Sequence, residues 1–253
     1  MRVEASGVAL ARSGRTILAG LTFSLAPGTI TLVAGPNGAG KSTLLSALAG
    51  DLAPSAGVIR MDGVALARIP LARRAQLRAV LPQRPSVAFA FRVRDLVAMG
   101  LHPHGLTAGH PPGAGIVDRA LSALDLADLA DRPVPALSGG EESRAHIARV
   151  FAQVEGSLAA GLRPLLLLDE PTAGLDYRHQ FALADRLRSL ARRGVTVVVS
   201  LHDLPLGRRL ADRVLLLSGG GLAADGPADV VLAPGEIARV FGLGAEEAAR
   251  LAA

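Results

Sequence analysis

The chain has 253 residues, half of them apolar, with 27 basic against 22 acidic side chains and a formal net charge of +5. That is enough apolar material for a large buried core, and the interspersed charges form no single-sign run of the kind that makes a nucleic-acid-binding tail, so no nucleic-acid partner is expected. Zero cysteines exclude disulfides, thiolate metal sites and cysteine nucleophiles.

The opening stretch MRVEASGVAL carries Glu4 and no long apolar core, so it does not read as a signal peptide, and a cytoplasmic setting is expected. VEASGVALA, RTIL and LTFSLAPG are short strand candidates joined by glycine or proline turns, which predicts an antiparallel β-subdomain over about residues 1–34. The buried-strand run TITLVAG then leads into Gly35, Pro36, Asn37, Gly38, Ala39, Gly40, Lys41, Ser42 and Thr43, followed by the helix-like run LLSALAG. Strand, glycine-rich loop and helix in this order form the context of a phosphate loop. Glycines let consecutive backbone N–H groups wrap the phosphates, and the helix N-terminus faces the same anion. Lys41, the only lysine in the chain, supplies a compact charge for β- and γ-phosphate oxygens, and the Ser42 hydroxyl suits Mg²⁺.

Residues 84–135 lose their strand signals. Helical segments near 93–99 and 116–124 are separated by loops rich in proline, glycine and histidine, which predicts an inserted helical subdomain. His102, His104 and His110 lie in these loops and read as solvated side chains rather than a metal or heme site. Beyond them PLLLLDE, GVTVVVSLH and DRVLLLS read as buried parallel strands of an α/β sheet. With the phosphate loop they define an ATPase core over about residues 35–83 and 136–222. Residues 223–253 carry helix caps and turns but no motif. Asp169 and Glu170 end the leucine strand, at the edge where open α/β sheets bind ligands. Asp169 is expected to hold Mg²⁺ through its waters, and Glu170 to act as general base on the attacking water.

LSGGE at residues 137–141 resembles the signature of the ATP-binding-cassette family, and the resemblance covers nearly the whole chain in motif order. Gln83 matches the family's Q-loop glutamine, Ala173, Gly174, Leu175 and Asp176 its D-loop, and His202 its switch histidine. The resemblance implies that Ser138, Gly139, Gly140 and Glu141 open a helix whose N-terminus caps the γ-phosphate held by a second copy of the chain, so that two copies sandwich two ATP molecules. It also implies that Gln83 senses Mg²⁺ and γ-phosphate, that His202 contacts the γ-phosphate, and that Asp176 communicates across the dimer.

Two departures stand out. The aromatic residue on which the family stacks adenine is missing: Leu10 occupies its place, so either Leu10 packs the base or the Arg12 guanidinium stacks on it. Glu141 and Glu142 stand where glutamines are common. A stand-alone cassette with one phosphate loop most resembles a bacterial importer subunit. LRAVLPQ, AFAFRVRDLVAMG and LLLLDEPTAGLDYRHQ resemble the heme, siderophore and cobalamin importers, with hemin as the expected cargo and siderophore or cobalamin as the alternative. A remoter alternative is a non-transport ATPase of the family. The implied partners are integral-membrane permease subunits docking near Gln83 and the arginine-rich loop 84–94, and indirectly a substrate-binding protein. The implied location is the cytoplasmic face of the inner membrane.

Overall fold

The computed structural model describes residues 1–85, 87 and 89–252. Ser86 and Ala88, within the arginine-rich loop, lie outside the described residues, as does Ala253.

β1 (Val3–Arg12) and β2 (Arg15–Leu25) form a hairpin whose turn places Ser13 and Gly14 in the left-handed region. β3 (Ile30–Ala34) leaves this sheet, and α1 (Lys41–Ala49) follows the glycine loop. β4 (Ala56–Met61) then returns to pair with β1 and turns at Asp62 and Gly63 into β5 (Val64–Ala65), giving a four-stranded sheet in the order β2-β1-β4-β5. The antiparallel sheet is therefore built from residues 3–25 and 56–65, a different set from the 1–34 expected. The Asp-Gly pair at the β4–β5 turn supplies the two left-handed residues of a tight hairpin, and every residue of β3 is buried, as a central parallel strand requires.

α2 (Leu71–Leu77) and β6 (Arg78–Leu81) precede the helical insertion, which contains α3 (Val93–Ala98), extended by a 3-10 stretch over Met99–His104, and α4 (Gly113–Ser122). The long helix α5 (Gly139–Ala159) packs on both and returns the chain to β7 (Leu165–Asp169). Gly100 sits so close to α5 that a Cβ there would lie 2.2 Å from the Arg149 carbonyl oxygen. α6 (Tyr177–Arg192), β8 (Thr196–Ser200), α7 (Leu204–Leu210), β9 (Arg213–Ser218) and β10 (Gly221–Pro227) complete the sheet, and α8 (Ala228–Val231), α9 (Pro234–Phe241) and α10 (Ala245–Ala252) close the chain. The second sheet has the order β10-β9-β3-β8-β7-β6; all its neighbours are parallel except β10 against β9.

The uninterrupted leucines of β7 have a simple cause. Leu165 and Leu167 enter one core, which contains α1 and the antiparallel sheet, while Leu166 and Leu168 enter the other, which contains α5, α6 and the helical insertion. A strand covered on both faces has no solvent side on which to place polar residues.

One sequence reading is corrected in the insertion. His102 and His110 are exposed, but His104 is half-buried against α5, its Nε2 3.1 Å from the Gln153 carbonyl and 3.3 Å from Ser157 Oγ. Burial lowers its pKa below the ordinary histidine value. Among the described residues, no helix is long and apolar enough to cross a membrane.

Candidate active site

The glycine loop between β3 and α1 is held open by backbone constraints. At Gly35 (φ 145°) a Cβ would lie 2.3 Å from the Leu217 carbonyl oxygen, and Gly40 (φ 99°) would drive one into Leu18 at 2.9 Å. Gly40 caps α1 without a side chain, so no side-chain acceptor covers the first-turn amides. Lys41 is only 7% exposed, and its Nζ donates to the carbonyls of Gly35 (2.8 Å) and Pro36 (3.2 Å). That leaves a third ammonium donor for an anion in front of the loop. Burial holds the ammonium below its ordinary pKa, with the Glu170 and Asp169 carboxylates pulling the other way.

At the ends of β7 and β8, the Asp169 carboxylate is buried and accepts a 2.6 Å hydrogen bond from Ser200 Oγ. Glu170 follows in the left-handed region (φ 52°), sparsely populated by residues other than glycine and of the kind that collects at functional sites. This bend directs its side chain back across the loop. Glu170 Oε2 accepts from Gln83 Nε2 at 2.7 Å, and Oε1 lies 2.7 Å from His202 Nε2.

Glu170, Gln83 and His202 thus come together, with Asn37, Gly38, Gly40, Lys41, Ser42, Thr43, Arg12 and Ile17, around one cavity of about 490 Å³. Of the two candidates for the base, Arg12 lines this cavity and Leu10 does not: Leu10 is fully buried in the core under the antiparallel sheet. The pairing of β1 shifts register at Leu10, where bulges re-aim the strand. Ile17, across the hairpin, was not singled out from the sequence. Nor was Ser200, which holds both acids: its Oγ also accepts the Glu170 N–H at 3.0 Å.

Ser138, Gly139, Gly140, Glu141 and Asp176 do not line this cavity. Ser138 caps α5 in a reciprocal box: its N–H donates to Glu141 Oε2 at 2.7 Å, and the Glu141 N–H donates to Ser138 Oγ at 3.4 Å. The Ser138 backbone and side chain hold the Glu141 carboxyl below the usual range, and Glu141 caps its own helix. Asp176 caps α6, accepting from the His179 N–H at 2.8 Å and lying 2.7 Å from His179 Nδ1, which lowers its pKa. A Cβ on Gly140 would lie 2.9 Å from the Gly174 carbonyl oxygen, so the first turn of α5 packs directly on the loop before α6.

With this geometry in hand, the family model described as ABC transporter matches residues 18–173. The chain belongs to the ATP-binding-cassette transporter ATPases. Curated relatives named hemin import ATP-binding protein HmuV include one from Gloeobacter violaceus, 45% identical over 95% of this chain and 87% of its own, and one from Pseudomonas aeruginosa, 45% identical over 96% and 92%. Among solved structures, an inward-facing metal-chelate type ABC transporter aligns at a TM-score of 0.77 with 29% identity over 95% of this chain and 89% of its own. An ATP-binding subunit of an ABC transporter shares the fold at a TM-score of 0.80 and 24% identity, covering all of both chains.

Proposed function

We propose that this chain is the ATP-hydrolysing subunit of a hemin importer, working as a pair of copies beneath integral-membrane permease subunits at the cytoplasmic face of the inner membrane. The observation that carries the catalytic reading is the Glu170 carboxylate, clasped between Gln83 and His202 across the mouth of the Lys41 loop. The hemin reading rests on relatives of that name at about 45% identity along nearly their whole length; hemin is itself a metal chelate, which agrees with the solved neighbour.

In this reading the backbone of residues 35–43 and the Lys41 ammonium hold the ATP phosphates. Ser42, Asp169 and Gln83 offer an all-oxygen donor set, which suits Mg²⁺; the ion supplies charge neutralisation of the phosphate oxygens. Glu170 accepts the proton of the attacking water. Each of its oxygens has one 2.7 Å partner and keeps a further lone pair with which to accept from the water. His202 then faces the γ-phosphate and keeps the water aligned. The capped N-terminus of α5, with Ser138, Gly139 and Gly140, meets the γ-phosphate bound by the second copy, and Asp176 faces that copy. Arg12 and Ile17 hold the base.

The permease docks at the groove of about 430 Å³ lined by Pro82, Arg84, Pro85, Val87, Leu96, Met99, His146 and Arg149, next to Gln83. The test is co-expression of the chain with the permease and its substrate-binding protein, followed by ATPase assay. Turnover stimulated by hemin-loaded binding protein is expected. Stimulation by a ferric siderophore or cobalamin in place of hemin would reassign the cargo, and an unchanged rate would remove the transport role.

A further inference from the structure

In the proposed pair the N-terminus of α5 and the loop ending at Asp176 both face the second copy, and a chain of contacts joins them within one chain. The C-terminal end of α4 turns at Asp125, held in the left-handed region (φ 52°), and its Leu124 and Asp125 carbonyls accept from Arg144 Nη1 of α5 at 2.7 and 3.0 Å. The α4 end is therefore clamped to the signature helix, about 1.7 turns past Ser138.

From this clamped turn the Asp125 carboxylate reaches α6. It pairs with Arg178 at 3.0 Å, and its Oδ2 lies 3.5 Å from His179 Nε2. The opposite ring nitrogen of the same histidine, Nδ1, lies 2.7 Å from Asp176 Oδ1. The ring is largely buried, and Nε2 has no hydrogen-bond partner among the described residues. One imidazole thus stands between a carboxylate of the helical insertion and the D-loop carboxylate, with its second contact within about 0.7 Å of hydrogen-bond length.

We infer that His179 is a positioning residue that couples the helical insertion to Asp176, so that the setting of the α5 N-terminus and the setting of the D-loop change together. A carboxylate only accepts, so both contacts are made at once when each ring nitrogen carries a proton. A small shift of the insertion toward α6 closes the Nε2 contact, while a shift away leaves Asp176 held by His179 alone. Gly140 also packs closely on Gly174, so the two segments share a backbone surface. The inference rests on the proposed paired ATPase, because only there do both segments meet the same partner copy.

A double-mutant cycle on ATP turnover by the full chain tests it. Asp125→Ala and His179→Ala should each lower kcat about tenfold while the KM for MgATP stays within about twofold, and the double variant should be no slower than either single. His179→Asn keeps a donor near Nδ1 and loses the reach of Nε2, so it should match Asp125→Ala in kcat with an unaltered thermal midpoint. Multiplied losses in the double variant, kcat falling in step with thermal stability, or a His179→Asn chain at wild-type rate would each overturn the bridge. A wild-type chain that does not turn over ATP would overturn the paired-ATPase reading as well.

Discussion

Ser200 Oγ donates a 2.6 Å hydrogen bond to Asp169 while accepting the Glu170 N–H, so one fully buried hydroxyl fixes both acids of the site. Removing it leaves Asp169 buried without that donor and loosens the strained bend at Glu170. Ser200→Ala is expected to lower kcat roughly 10- to 100-fold, the range seen when a buried partner of a functional carboxylate is lost, with a smaller change in ATP affinity. Steady-state kinetics beside a nucleotide-binding titration separates the two.

Glu170→Gln keeps the Gln83 and His202 contacts in shape but abolishes proton acceptance. Hydrolysis should fall by about 10²- to 10⁴-fold, and ATP should then hold two copies together. Kinetics and size-exclusion chromatography with and without MgATP check this: retained turnover would exclude Glu170 as the base, and a monomer under both conditions would exclude the ATP-held pair.

Base selection should be loose. Arg12 and Ile17 line the cavity where an aromatic ring is absent, and a guanidinium over an aliphatic side chain recognises a purine face without reading its edge. Comparable binding of GTP and ATP is expected, with Arg12→Ala weakening both by about fivefold, on the order of one cation–π contact. A strong ATP preference in competition binding would contradict it.

His146 lines the groove beside Gln83, is 2% exposed, and has no hydrogen-bond partner at either ring nitrogen among the described residues. Burial, with Arg149 nearby, lowers its pKa from 6.5 to about 4. The unfolded chain therefore takes up a proton at this residue at a pH where the folded chain does not. The stability contribution is fully present above about pH 6.5 and declines as pH falls toward 4, a loss of about 2 kcal/mol between pH 7 and 5. Denaturant unfolding should show this slope in the wild type and a shallower one in His146→Leu. Equal slopes would remove His146 as the cause.

Arg92 and Arg94 lie at the start of α3, the helix that supplies Leu96 to the groove. Arg92 is 63% exposed and loosely paired with Asp131 at 3.4 Å, whereas Arg94 is paired with Asp118 at 2.8 Å. Charge reversal to Glu at either residue should weaken co-purification with the permease while leaving nucleotide binding unaltered, because neither lines the nucleotide cavity. The effect should be larger at Arg92, whose charge is freer. Assembly unchanged in both variants would move the docking surface elsewhere.

The sequence was most informative where function confines residue type. A glycine loop admits few side chains, and a strand buried on both faces admits only apolar ones, so residues 35–43 and 165–170 could be read directly. Residues 1–34 were harder because register decides which side chain faces which layer. The bulges in β1 turned Leu10 into the core and brought Arg12, with Ile17 from the next strand, to the nucleotide cavity. The Asp62-Gly63 turn was available as a hairpin signal, yet its strands are six residues and two, too brief to mark a sheet whose other half lies thirty residues upstream. The capping role of Glu141 was also present as a serine followed three residues later by glutamate. Ser200, His179 and His146 could not be singled out, because their contacts come from elements brought together only by the fold.

The solitary lysine has a practical corollary. Amine-directed reagents, whether acylating labels or aldehydes followed by reduction, meet one side-chain target in this protein, and it lies inside the nucleotide loop. Apart from the amino terminus, any label taken up counts open loops, and protection by nucleotide reads occupancy without a mutation or an introduced tag.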